Sequence, residues 1–238
     1  MLTFPEIERA LVVTAHPDDV DFGAAGTVAA MTEAGIDVSY CIVTDGDAGG
    51  FDLAMDRREM ALLRRKEQTE AAKVVGVTQL FFLGYGDGRV QVTLQLRADI
   101  SAVIRRVRPR VVISQSPERV LDRVYASHPD HIATGEATMC AVYPDARNPF
   151  ALPELFAEDL EPWAVEEVWI QSGGSGSYAI DVTATADRKI EALMRHVSQH
   201  SDPHRTEAMV RDWMANTAKQ FDLSDGSAAE AFRIIDTR

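Results

Sequence analysis

Two cysteines, Cys41 and Cys140, are all that the 238 residues contain, too few for a disulfide framework. Cys41 sits inside an apolar run and reads as a buried free thiol, which fits a reducing compartment. No uninterrupted apolar stretch reaches the roughly 20 residues that a bilayer-spanning helix needs. The opening MLTFPEIERA has neither the basic nor the apolar region of a secretory signal. A cytoplasmic protein with no membrane partner is therefore expected. Basic residues are scarce as well: 24 Lys and Arg face 37 Asp and Glu, for a formal net charge of −13. Nucleic-acid binders rely on lysine and arginine to displace counterions from phosphate, so no nucleic-acid partner is expected. The one basic cluster, RREMALLRRK at 57–66, has helical periodicity and reads mostly as a solvated helix face.

What is present is an ordinary globular composition, 46% hydrophobic and 26% charged. The chain is long enough to bury a core unaided. Short apolar runs at 10–15, 37–45, 79–85 and 110–116 read as strands. Between them, 24–35, 58–76 and 94–108 carry helical patterns, with Gly35 and Gly76 closing the first two and Pro109 the third. Further helices are expected at 132–143 and 186–199, and further strands at 166–173 and 178–183. This alternation predicts an α/β chain: a single-domain (1–238) Rossmann-like three-layer fold, its mainly parallel sheet covered by helices on both faces. In such folds ligands sit beyond the carboxyl ends of the strands. The unusual loops HPDD (16–19), TDGDAGG (44–50), GYGDG (84–88) and SQSPERVLDRVYASHPDH (114–131) all fall on that rim.

Only six histidines exist, and three of them lie in HPDD and in HPDH at 128–131. A catalytic zinc takes three imidazole or carboxylate ligands and leaves one position for water. His16 and Asp19 can face one ion from a turn, and His131 or His128 would complete the set. His200 and His204 lie in a polar, turn-like stretch and read as surface residues. Asp18, adjacent to a ligating Asp19, is then available as a general base. Burial and the second carboxylate raise its pKa, while a cation lowers it. The remaining histidine, when protonated, would stabilise an oxyanion or protonate a leaving amine. The plainer alternative is that Asp18 caps the helix that follows.

Taken together, AHPDD at Ala15–Asp19, HPDH at His128–His131, TDGDAGG, RRKEQTEAAKVVGV, FLGYGDGRV and DVTATADRKIEALMRHVSQ resemble the PIG-L or LmbE-like de-N-acetylases along nearly the whole chain. That resemblance implies a zinc-dependent hydrolase that removes acetyl groups from N-acetylglucosamine-containing small molecules. It implies His16, Asp19 and His131 as zinc ligands, with ferrous iron or cobalt as substitutes. Asp18 is then the general base, and His128 stabilises the tetrahedral intermediate and donates a proton. Asp130 joins the catalytic group by orienting His128 or another site residue. Arg64, paired with Glu67, and Asp87 are the implied substrate-binding residues. A small homo-oligomer is also implied. Members acting on mycothiol precursors place a tyrosine two residues before HPDH. This chain has Ala126 there and Tyr125 one step earlier, so that substrate is less secure.

Other readings stay open at this stage. A zinc amidase of the same family would cleave thiol S-conjugates or acylated natural products with the same residues. A two-histidine, one-carboxylate set also suits non-haem iron. A nucleotide-binding module is disfavoured, because the first turn lacks G-x-G-x-x-G and puts two carboxylates where a pyrophosphate would lie. Specificity is expected from 46–56, 117–127 and 148–160. Phe150, Leu152, Leu155 and Phe156 of the last segment read as packing within the fold.

Overall fold

A computed structural model describes residues 3–171 and 176–238, with the side chains at 123, 125, 126 and 157 also outside the description. Tyr125 and Ala126, on which the comparison with mycothiol-type enzymes turns, therefore have no described side chains. The end of the expected strand at 172–173 also lies outside the described residues.

Strand β1 (Arg9–Thr14) is followed by helices α1 (Asp19–Gly23) and α2 (Ala25–Glu33), then β2 (Asp37–Thr44) and α3 (Arg57–Val74). Next come β3 (Gln79–Tyr85), α4 (Leu94–Val107), β4 (Val111–Ser114) and α5 (Pro129–Cys140). The chain ends with β5 (Glu167–Gln171), β6 (Tyr178–Asp181), α6 (Ala186–Leu193), α7 (Pro203–Gln220) and β7 (Ala229–Asp236). The sheet order is β3-β2-β1-β4-β5-β7-β6. The first five strands pair in parallel, and β7 runs antiparallel to both of its neighbours.

Alternation along β1 explains why its sequence is apolar throughout. Ala10 and Val12 pack with Val28 of α2 and Ala71 and Ala72 of α3. Leu11 and Val13 pack on the other face with Leu96, Ile100 and Ile104 of α4 and Ala137 of α5. A strand covered on both faces has no polar side to show. The expected three-layer α/β architecture is present. A third apolar group joins α6 and α7 through Ile190, Leu193, Val210 and Met214. No helix among the described residues is long and apolar enough to cross a membrane.

Three expectations need correcting. The 203–220 segment that holds His204 is a full helix, α7, rather than a turn-like stretch. His204 is exposed on it, whereas His200 is partly buried and its Nε2 lies 2.9 Å from the Leu193 carbonyl. Of Phe150, Leu152, Leu155 and Phe156 only Leu155 is buried in the core; Phe150 is 87% exposed, and Phe156 lies under the Arg105 guanidinium.

Strand order sets the position of the functional loops. The chain passes from β1 outward to β2 and β3, then returns to β4 on the other side of β1. The crevice where the order reverses lies between the carboxyl ends of β1 and β4. HPDD leaves β1 there, and HPDH opens α5 after β4. The Ala15 N–H donates to Gln115 Oε1 at 2.9 Å, tying the two strand ends together. Helix α5 also packs tightly on the backbone after β4. A Cβ on Gly135 would meet the Gln115 carbonyl at 2.6 Å and the Pro117 nitrogen at 2.8 Å. Gly135→Ala is expected to push α5 away and to cost about 1–3 kcal/mol by overpacking. Urea unfolding of the variant measures this, and unchanged stability would contradict it.

Candidate active site

Each HPD segment uses its proline and aspartates differently. In HPDH, Pro129 occupies the first turn of α5, where a missing N–H costs nothing. His128 is the N-cap, and its Nδ1 accepts the Asp130 N–H at 3.2 Å. The imidazole proton must then sit on Nε2. His131 follows on the same first turn. In HPDD, Asp18 has φ 92°, in the left-handed region, and its side chain makes no cap bond to α1. The capping role considered for Asp18 is thus absent. That conformation costs a non-glycine residue roughly 1–2 kcal/mol.

His16 is the hub of the site and is 7% exposed. Its Nδ1 lies 3.2 Å from Asp19 Oδ2 and 3.2 Å from His131 Nε2. His131 Nε2 in turn lies 3.0 Å from Asp19 Oδ1. On the opposite edge of the ring, Nε2 lies 3.2 Å from Asp130 Oδ2 and 3.1 Å from Asp87 Oδ1. Burial disfavours a charge on this imidazole, yet Asp19, Asp130 and Asp87 raise its pKa to about 12. Burial also works against the charge on Asp19, but His131 and His16 hold its pKa well below the usual range. The His128 pKa is lowered, first by burial and then by the neighbouring His16 and His131.

This donor set fits a divalent cation. Ligand atoms of His16, His128 and His131 lie within 4.8 Å of one another, as do those of His16, Asp87 and Asp130. His16, Asp19 and His131 also converge, with separations of 3.0–3.2 Å that involve both Asp19 oxygens. A tetrahedral zinc with bonds of about 2.0–2.1 Å has ligands about 3.3 Å apart. With an ion in place of the Nδ1 proton and its Nε2–H given to Asp130 and Asp87, His16 would present the Nδ1 lone pair to that group. Asp130 is itself fixed by the Gly88 N–H at 2.7 Å and the Val90 N–H at 3.2 Å. A carboxylate behind a histidine in this way sets the tautomer and raises ligand basicity. The Asp130 side chain therefore serves His16 rather than His128.

Asp18, next in the chain to Asp19, has a different partner. Its Oδ2 accepts from Arg64 Nη2 at 3.1 Å. Burial raises its pKa, Arg64 lowers it and Asp19 raises it, leaving it at about 6. Arg64, for which the resemblance implies substrate binding, is engaged by partners within the protein. Arg64 is buried, donating to the carbonyls of Pro17 and Gly46 as well as to Asp18. Gly46, at φ 64°, leaves room for this, since a Cβ there would meet the guanidinium at 2.3 Å. Arg64 is thus the inward-turned exception in the basic cluster at 57–66. Its partner in the motif, Glu67, faces elsewhere and accepts from the Ser198 N–H and hydroxyl. Asp87 is also committed: Oδ1 faces His16 and Oδ2 accepts the Ala48 N–H at 3.2 Å.

Sequence reasoning missed a buried trio behind HPDD. Gln68, Asp21 and His196 have no solvent exposure, and His196 Nε2 lies 2.8 Å from Asp21 Oδ2. The available signal was the register of α3, where Gln68 follows Met60 and Arg64 at steps of four along the buried stripe. Burial lowers the His196 pKa, but the Asp21 hydrogen bond and charge raise it above its ordinary 6.5. A raised pKa adds stability that is complete below pH 6.5 and is lost as pH climbs through the folded value. Urea unfolding from pH 6 to 9 should therefore show wild type losing more stability than His196→Gln; parallel profiles would contradict the pair.

A partly buried aspartate beside converging imidazoles and carboxylates, at the switch point of an α/β sheet, has the makeup of a metal-assisted hydrolase. The chain belongs to the GlcNAc-PI de-N-acetylase (PIG-L) family, whose profile matches residues 11–142. It is 32% identical to diacetylchitobiose deacetylase of Thermococcus kodakarensis, over 82% of this chain and 72% of that one. It is 31% identical to a probable N-acetyl-α-D-glucosaminyl L-malate deacetylase 2 of Bacillus anthracis, over 80% and 81%. The solved N,N'-diacetylchitobiose deacetylase of Pyrococcus horikoshii, in complex with its inhibitor MPG, superposes with a TM-score of 0.89. That match has 26% identity and covers 98% of this chain and 85% of the other.

Proposed function

We propose that this chain is a zinc-dependent hydrolase that removes the N-acetyl group from an N-acetylglucosamine-containing small molecule, releasing acetate and a free amine. The observation that carries this reading is the meeting of His16 Nδ1, Asp19 and His131 Nε2 within 3.2 Å, with Asp18 partly buried alongside. Those three residues would hold the ion. When bound, zinc supplies Lewis-acid polarisation of the acetamide carbonyl and a more acidic water. Asp18 takes the proton of the attacking water, and a base with a pKa of about 6 is ionised at neutral pH. Arg64 keeps that carboxylate in place. His128 offers Nε2–H to the developing oxyanion, the kind of preorganised donor that stabilises charge as it forms. The amine leaves with a proton passed through Asp18 or His128. Asp130 and Asp87 hold His16 in the tautomer that this arrangement requires.

Membership in a family of sugar deacetylases supports the substrate class, and the two free thiols, Cys41 and Cys140, support a reducing cytoplasmic setting. Acetate release from N-acetylglucosamine, its malate and inositol glycosides and diacetylchitobiose, on metal-free and zinc-reloaded protein, tests the proposal. Zinc-dependent release from any of them is the expected result. No release from zinc-loaded protein would exclude these substrates and direct attention to larger acyl amides.

A further inference from the structure

We propose that Gln68, held by Asp21 and His196, is a positioning residue that fixes the Asp18 peptide in its left-handed conformation and so aims the Asp18 carboxylate. The inference rests on Asp18 being the base described above. Gln68 Oε1 accepts the Asp18 N–H at 2.8 Å. The other end of the same amide, Nε2, donates to Asp21 Oδ2 at 2.9 Å. An acceptor is needed on one side and a donor on the other, so the amide can face only one way. His196 Nε2, at 2.8 Å, closes the line from behind.

The geometry matches a need at Asp18. With φ at 92°, Asp18 occupies a backbone conformation that an L residue adopts only when its surroundings enforce it. Two bonds hold the Pro17–Asp18 peptide, one on each of its edges: the Asp18 N–H donates to Gln68, and the Pro17 carbonyl accepts from Arg64. Arg64 also holds the carboxylate itself. Among the described residues the side-chain hydrogen bonds of Gln68 run to Asp18 and Asp21 and not to His16, Asp19 or His131. Loss of its amide would release the Asp18 backbone and leave His16, Asp19 and His131 in place. Small displacements of a reacting group are enough to cost large factors in rate.

Gln68→Met keeps the length of the side chain and removes both hydrogen bonds. It is expected to bind zinc and substrate as wild type does, with KM unchanged and kcat reduced by about 10- to 100-fold. The double variant with Asp18→Asn is expected to be no slower than Asp18→Asn alone, because there is no longer a carboxylate to aim. A kcat within about twofold of wild type would overturn the inference. So would a double variant in which the two losses multiply, since Gln68 would then act independently of Asp18. An Asp18→Asn enzyme with full turnover would instead remove the base assignment itself. Should Gln68→Met not fold, a polarity swap carries the test. Gln68→Glu opposes two carboxylates, and adding Asp21→Asn restores a donor opposite an acceptor. Recovery of kcat in the pair over Gln68→Glu alone is expected, and no recovery would overturn the inference.

Discussion

Asp18→Asn is expected to fold, to bind zinc and to lose acetate release by about 100-fold or more, the usual scale for removing a general base. Two features of the site support that expectation. Asp18 makes no cap bond to α1, so its carboxylate is not spent on the helix that it precedes. Its Oδ2 faces Arg64, whereas both oxygens of Asp19 face His16 and His131. The two adjacent carboxylates thus work in different directions, and removing one leaves the ligand set whole. Asparagine retains an oxygen for the Arg64 hydrogen bond, so the variant tests proton transfer more than packing. Turnover within a few-fold of wild type, with zinc bound, would remove Asp18 from the role of base.

His16→Ala is expected to lose the metal outright. His16 lies between two pairs of partners, Asp19 and His131 at Nδ1 and Asp130 and Asp87 at Nε2. Truncation removes one ligand and brings Asp19, Asp87 and Asp130 together without the imidazole that separates them. Elemental analysis after dialysis should find about one zinc per wild-type chain and far less in the variant. Asp130→Asn should fall between the two, weakening zinc affinity by about 10- to 100-fold, as expected for a group that orients a ligand. Full zinc content in His16→Ala would contradict the ligand assignment.

Much of this site is legible in the sequence because its parts are local. His16 and Asp19 share one turn, His128 and His131 share another, and strand alternation puts both turns on one rim. The parallel half of the sheet is legible for a similar reason: strands buried on both faces are short apolar runs. The antiparallel end of the sheet gives a weaker signal. Strand β7 buries Ala229, Glu230, Ala231 and Phe232 in succession, and the buried glutamate, paired with Lys189, hides the strand in the sequence. Helix α7 buries only Val210, Met214 and Ala218, a narrow stripe on an otherwise polar segment. Arg64, Gln68 and His196 are harder still. Polar residues on a helix or in a turn normally face water; only the four-residue step from Met60 marks Arg64 and Gln68 as turned inward, and nothing local marks His196. Their partners lie far along the chain, so only the tertiary fold reveals them.

The central claim is that zinc sits on the Nδ1 edge of His16. An anomalous difference map from zinc-loaded crystals, recorded at the zinc edge, tests it directly. One peak is expected, about 2.0–2.2 Å from His16 Nδ1, His131 Nε2 and an Asp19 oxygen. A peak on the opposite edge of the ring, bound by His16 Nε2, Asp87 and Asp130, would contradict it.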